Sequence, residues 1–292
     1  MQKNIDMVMA AFDYNRTEPC IVRETAHWAV VYKPPHLPTA PLRADERNTL
    51  VYWFLHSPEV QKQSAEYGLR SREAQVRGKK EIEAGLLHRL DTDTRGLVLF
   101  AKNQAVYDFL AARQEAGQMI KTYCAFVEPN RVPEIDNGYG FGATELSMLK
   151  ELSVAQRGIA AQLPLTLESQ FRNFGPGAKR VAPVFPGSRH YKKDGRLYTT
   201  VIEAADILPS PPLIRVRCRL SRGYRHQVRA HLAAAGLPIV GDPLYAPQGA
   251  EAQPESAQVS LQLYAVSLAF PDPENPRQSI RVALPPPDKM TP

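Results

Sequence analysis

The chain has 292 residues, a formal net charge of +6, 43% hydrophobic and 23% charged residues, and three cysteines. That composition excludes a disordered chain and is enough for one large domain or two modest ones. No apolar run approaches the roughly 20 residues a membrane-spanning helix needs, the N-terminus is too polar for a secretory leader, and Cys20, Cys124 and Cys218 are too scattered for a disulfide framework or a CxxC metal site. A cytoplasmic protein with no membrane partner is expected.

Residues 1–26 are a weakly patterned lead-in without an assigned element. HWAVVY over 27–32 predicts a short strand, stopped by Lys33-Pro34-Pro35. Asn48 is placed to cap a helix over 49–55 that ends before Pro58. Residues 60–82 are charged and aperiodic, and read as a loop with some helix. The stretch 87–103, LHRLDTDTRGLVLFAKN, gathers His88, Arg89, Asp91 and Asp93 and then runs apolar from 97 to 101. A short apolar run after a Gly predicts a buried strand, with Asp91 on the loop at its edge. Taken alone, Arg89 and Asp91 fit a catalytic loop and a structural ion pair equally well.

Asn103 predicts the cap of a helix over 104–116, with Val106, Phe109, Leu110 and Arg113 on one stripe and Gly117 as its stop. IKTYCAFV over 120–127 alternates as a half-buried strand does, and Cys124, like Cys218, reads as a small core residue. Residues 130–196 depart from this compact pattern and read as a basic, flexible arm. The arm carries a Gly-rich piece at 137–142 that lacks GxGxxG spacing, a helix over 147–163 and a turn-rich segment at 174–184. Strands are predicted over 197–204 and 213–220, a helix over 226–235 stopped by Gly236, a turn over 239–245, and strands over 259–270 and 279–283. Strands and helices do not alternate strictly, so the fold class is α+β, a mixed, largely antiparallel sheet flanked by helices.

Basic residues cluster twice. Arg70, Arg72, Arg77, Lys79 and Lys80 precede the Asp91 loop; Arg172, Lys179, Arg180, Arg189, His190, Lys192, Lys193 and Arg196 lie in the arm. They fit solvated loops, or a rim that grips phosphates on either side of a site.

The pattern HRLDxxTxG, an apolar strand and AKN resembles the signature of the RluA-type RNA pseudouridine synthases. Residues 222–245 resemble the family's second signature, GRxHQIRxHLxxxGxPIxGDxxY, at Gly223, His226, Gln227, Arg229, His231, Leu232, Gly236, Pro238, Ile239, Gly241, Asp242 and Tyr245. Lys121-Thr122-Tyr123 is similar to the family's KxY strand. Lys33-Pro34 is similar to its first motif, in which a Gly-Leu turn follows; here the turn is Pro35-His36-Leu37-Pro38. LQLYA at 261–265 echoes LxLHA with Tyr264 in place of His. The matches run in family order from Lys33 to Ala265.

The resemblance implies a pseudouridine synthase catalytic fold with a central RNA-binding cleft, as a single domain over 1–292, with no S4 domain and a basic insertion at about 130–196. It implies RNA as the partner, transfer or ribosomal, and no cofactor or metal; a monomer is expected. It assigns Asp91 as the catalytic carboxylate, leaving open whether it attacks the uracil, attacks the ribose or abstracts a ribose proton. Arg229 keeps that carboxylate ionised. Tyr123 stacks on the target base and helps handle the proton at carbon 5, and Arg89 fills the space left by the flipped nucleotide. His226, Gln227, Arg222, Arg225, Lys192 and Lys193 are expected to contact RNA, and His88 and Asp93 to be structural. Two departures stand out. The family's TSG is Thr94-Arg95-Gly96 here, and the arginine of GRxHQ is replaced by Tyr224. Both bear on RNA grip more than on the reaction.

Overall fold

A computed structural model describes residues 3–58, 76–127, 163–208, 213–245 and 259–291. Its strands are β1 (Lys3–Val8), β2 (Cys20–Glu24), β3 (Trp28–Lys33), β4 (Arg95–Ala101), β5 (Ile120–Val127), β6 (Leu165–Phe174), β7 (Arg180–Val184), β8 (Tyr198–Leu208), β9 (Leu213–Leu220), β10 (Leu263–Pro271) and β11 (Gln278–Ala283). Its α-helices are α1 (Leu50–His56), α2 (Gln104–Glu115) and α3 (Gln227–Ala234). The chain divides into two compact units: residues 1–121 with 264–287, and residues 122–263 with 288–292.

The first unit orders its strands β2-β3-β4-β10, with β11 on β10 and β1 on β11. Pairings are antiparallel except β4 with β10 and β1 with β11. WAVVYK of β3 and RGLVLFA of β4 are buried along their whole length, as expected of strands covered on both faces. Phe54 of α1 stacks on Phe100 at 4.1 Å, and Trp28 meets Phe270 edge-on at 5.2 Å. The cap of α1 is Thr49 rather than Asn48: its side chain accepts from Tyr52 N at 3.1 Å. Asn103 caps α2 as expected, accepting from Val106 N at 2.9 Å, and Gly117 follows the helix at φ +74°.

The lead-in holds two strands that the sequence reading left unassigned. β1 is an edge strand of polar composition, KNIDMV, held by parallel pairing to β11. β2 shifts register between Ile21 and Arg23, which breaks the period-2 signal.

The Thr94-Arg95-Gly96 departure is resolved inside this unit. Arg95 is 1% exposed and turned away from solvent. Its guanidinium lies 5.3 Å from the ring centre of Tyr264, the residue opposite it on β10, and Nη1 donates to Tyr14 O at 3.4 Å. Two residues that differ from the family pattern, Arg95 and Tyr264, thus form one buried cation–π pair. Arg95 is a core residue, and its charge is not presented to a ligand.

The second unit orders its strands β5-β9-β8-β6-β7, and α3 packs on β7 and β8. Here the reading of 130–196 as an arm is corrected. β6 and β7 are sheet strands with buried Leu167, Val181 and Val184. The turn and basic residues between apolar positions masked their alternation. The Gly-rich piece at 137–142, and the helix predicted over 147–163 apart from its last residue, lie outside the described residues. In β9, Val216, Cys218 and Leu220 point inward, while Arg215 pairs with Asp206 and Arg219 with Glu203 on the outer face. Cys124 and Cys218 are buried and reduced, and burial pushes the Cys124 thiol up to about 12. Among the described residues no helix is long and apolar enough to cross a membrane, and no group of three metal-ligating side chains is present.

Gly96 fixes how closely β4 approaches β10. It sits at φ +131°, and a Cβ there would lie 2.3 Å from Ala265 O. Gly96→Ala is therefore expected to cost about 2–5 kcal/mol in urea denaturation, from left-handed strain plus overpacking. A loss below about 0.5 kcal/mol would show that this backbone approach is not a constraint.

Candidate active site

In the first unit, the residues on either side of Asp91 are each pinned by a buried side chain. Thr39 Oγ1 donates to Leu90 O at 2.7 Å and accepts from Leu90 N at 3.1 Å. Lys33 Nζ donates to Thr92 O, Pro34 O and Leu37 O, each at 2.8 Å. Thr94 N donates to Asp91 O at 3.1 Å and closes a turn between them. The loop that carries Asp91 is thus held on both sides by groups rooted elsewhere in the unit, while Asp91 itself stays partly exposed. Such double anchoring suits a group that must meet a substrate in one geometry. Sequence reasoning took Lys33 as a strand stop and as part of the family's first motif, without a role toward Asp91, and overlooked Thr39, which lies in a segment without periodicity.

Lys33 is fully buried. Burial pulls its ammonium down to about 7, against the Asp93 and Asp91 carboxylates, which favour its charge. Asp93 is structural: its carboxylate lies 3.0 Å from His36 Nδ1. His36 stands at φ +60°, at the turn where the family pattern has Gly, so the pair helps hold a conformation that costs a non-glycine residue about 1–2 kcal/mol. His88 is also structural. It is buried, accepts from Leu99 N at 3.3 Å through Nε2, and is kept neutral by burial and by nearby Lys121. Arg89 is exposed and pairs with the buried carboxylate of Glu83 at 3.6 Å. The alternative of a structural Arg89–Asp91 ion pair is thereby set aside, because the partner of Arg89 is Glu83. Of the first basic cluster, Arg77, Lys79 and Lys80 are exposed in this unit, while Arg70 and Arg72 fall outside the described residues.

The second unit holds the other expected residues. Arg229, 3% exposed, gives Nε and Nη2 to the two carboxylate oxygens of Asp242, each at 2.8 Å. Asp242 Oδ1 also accepts from Leu244 N and Tyr245 N at 2.9 and 3.1 Å. The Arg229 guanidinium sits 5.3 Å from the Tyr245 ring centre. Tyr245 OH in turn accepts from Val181 N at 2.8 Å and lies 3.1 Å from His226 Nδ1. A bidentate pair of this kind fixes the guanidinium plane. His226 precedes α3 at φ +55°. Tyr123 is buried on β5.

Gln227 corrects an expectation. Its amide donates to Thr199 O and Thr200 Oγ1 at 3.0 and 3.1 Å and accepts from Tyr224 N at 2.9 Å. It is 3% exposed, so its polar groups are committed to joining α3 to β8 and are not offered to RNA. Lys192 and Lys193 are exposed on the segment after β7. That segment is built from successive turns and is clasped by Gln170, whose amide exchanges two hydrogen bonds with the Lys192 backbone. The lysines stand on a tethered platform, not on a flexible arm. Arg222 and Arg225 are also exposed.

The burial of Lys33 carries a pH signature. Its folded-state value near 7 lies below the ordinary lysine value. Between these limits the unfolded chain holds more protons, so stability rises with pH. From pH 7 to 8.5 the expected gain from Lys33 is about 1–2 kcal/mol, measured by denaturant unfolding. Lys33→Gln should remove that part of the slope. An unchanged slope in the variant would contradict the burial of a titrating ammonium at this position.

Similar proteins agree with this architecture. The family model for RNA pseudouridylate synthase matches residues 27–234. An uncharacterized RNA pseudouridine synthase of Chloroflexus aurantiacus is 29% identical over 168 residues, covering 58% of this chain and 40% of the relative. The protein named ribosomal large subunit pseudouridine synthase D of Zymomonas mobilis is 26% identical over 225 residues, covering 77% of this chain and 55% of the relative. The chain thus spans about half the length of the curated relatives it matches. The human protein RNA pseudouridylate synthase domain containing 4 has a similar fold, with a TM-score of 0.57 at 17% identity over 92% of this chain and 88% of the other. With both signatures in place and the family match covering most of its length, the chain belongs to the RluA-type pseudouridine synthases of the RNA pseudouridylate synthase family.

Proposed function

We propose that this protein isomerises specific uridines in transfer or ribosomal RNA to pseudouridine, with Asp91 as its catalytic carboxylate. The observation that carries the reading is the anchored Asp91 turn, clamped at position 90 by Thr39 and at position 92 by Lys33. In the reaction the N1–C1′ glycosidic bond breaks, the uracil turns, a C5–C1′ bond forms, and the proton of C5 is lost while N1 gains one. No group is added or removed overall, so residues that hold, orient and move protons suffice.

In this reading Tyr123 and Arg229 join Asp91 as the catalytic residues. Tyr123 stacks on the extruded base, and Arg229 supplies a cation to the reaction. Arg89, released from Glu83, fills the gap left in the RNA. Arg222, Arg225, Lys192 and Lys193 grip phosphates, and His226 supports Tyr245 beside them. We place the reaction in the cytoplasm and the two units in one catalytic domain acting as a monomer.

The test is pseudouridine formation by purified protein on unmodified transfer and ribosomal RNA transcripts. Asp91→Asn should bind RNA within about threefold of wild type, since it keeps size and hydrogen bonding, and should form no pseudouridine. Turnover near wild type would remove Asp91 from the reaction. Lys192→Glu with Lys193→Glu should weaken RNA binding and flatten its salt dependence, because fewer counterions are released. An unchanged salt slope would remove the Gln170-clasped segment from the RNA interface.

A further inference from the structure

Tyr224 stands where the family pattern has arginine, and its surroundings give the ring a use. It stacks on Phe171 of β6 with centroids 5.0 Å apart and planes 8° from parallel. Tyr198, at the start of β8, meets both rings, at 5.0 Å from Tyr224 and 5.9 Å from Phe171. All three rings are only partly buried. The hydroxyls of Tyr198 and Tyr224 are not sealed in the interior and bond no described residue. Phe171 and Tyr224 pack on a core cluster of Val181, Ala230, Ala233 and Tyr245, so the three rings form an anchored aromatic patch that still reaches the surface.

A cation is fixed beside them. Arg225 is exposed, and its hydrogen bonds all leave from Nη2, to Asn173 Oδ1 and to the carbonyls of Ala178 and Arg180. Asn173 lies two residues beyond Phe171 on β6, so both side chains share a face, roughly 7 Å apart. Every acceptor is neutral, and among the described residues no carboxylate pairs with Arg225. The guanidinium is therefore oriented but not neutralised. Relative to the family pattern, the chain has gained a ring at 224 while the adjacent position keeps the positive charge.

We infer that Phe171, Tyr198, Tyr224 and Arg225, none of them a proposed catalytic residue, form a nucleotide subsite. An unpaired base of the RNA stacks on the Tyr224–Phe171 pair and its phosphate meets Arg225. The inference rests on the proposed RNA-modifying function and adds to it a place where an unpaired nucleotide other than the target uridine is held. Stacking on aromatic rings tolerates any base, and an anchored arginine supplies the phosphate contact, which is the usual construction of a single-strand site. A docking surface for another protein would not need the uncompensated cation, and is an outcome of the test.

The experiment is fluorescence anisotropy of a labelled twelve-nucleotide oligouridylate with the full chain, at several salt concentrations. Tyr224→Leu keeps apolar contact with Phe171 and removes the ring. It should weaken binding about 5- to 100-fold while leaving the salt slope unchanged. Tyr224→Phe should bind like wild type, and Arg225→Gln should lower the salt slope by about 0.7. Binding by Tyr224→Leu within twofold of wild type overturns the subsite alone. The same holds for a loss matched by Tyr224→Phe, which would mean that the hydroxyl and not the ring is read. If the wild type binds neither the oligouridylate nor folded RNA, the RNA-modifying reading falls and the subsite falls with it, leaving the aromatic patch to a protein partner.

Discussion

One buried ammonium ties together the part of the chain that carries the chemistry. Lys33 ends β3, and its three protons reach the carbonyls of Pro34, Leu37 and Thr92. Two loops far apart in sequence are thereby closed on a single point. Desolvating a lysine costs several kcal/mol, and only a full set of acceptors with two carboxylates nearby makes that tolerable. Thr39 acts in the same way on the other flank of Asp91 with both its donor and its acceptor. The turn between them has little freedom left, so the position of Asp91 is determined by packing and not by the loop's own preference.

The second unit repeats the principle with other residues. Arg229, Asp242 and Tyr245 form a network in which the carboxylate binds the guanidinium by two bonds and the following turn by two more. Breaking such a network leaves a buried charge without its partner, a far larger loss than that of one surface contact. Gln227 then joins α3 to β8. Much of the second signature, from Gln227 to Tyr245, thus contributes to holding a shape, with Arg222 and Arg225 exposed just before it.

Much of this was legible in the sequence, and the misses have physical causes. The continuous apolar runs of β3 and β4, the alternation of β9, and the Asn103 cap carried local signals that no tertiary contact had to override. The strands β1, β2, β6 and β7 did not. They are edge, bulged or charge-interrupted strands whose partners lie far away in sequence, so the stabilising pairings were invisible locally. The departures from the family pattern were misread for the same reason. Arg95 was read as bearing on RNA grip until Tyr264 was seen opposite it, and His36 had no assigned role until Asp93 was seen beside it. Asp91 was found because a signature marks it; Thr39, which helps position it, could be found only in three dimensions.

The central claim is that an anchored Asp91 isomerises uridine in RNA. The most direct measurement is a pseudouridine map of total RNA from a strain lacking the gene, complemented with wild type or with Asp91→Ala. The account predicts that one or a few sites disappear, and that wild type restores them while Asp91→Ala does not. No change at any site, or equal restoration by Asp91→Ala, would contradict it and would leave the scaffold as an RNA-binding protein without this chemistry.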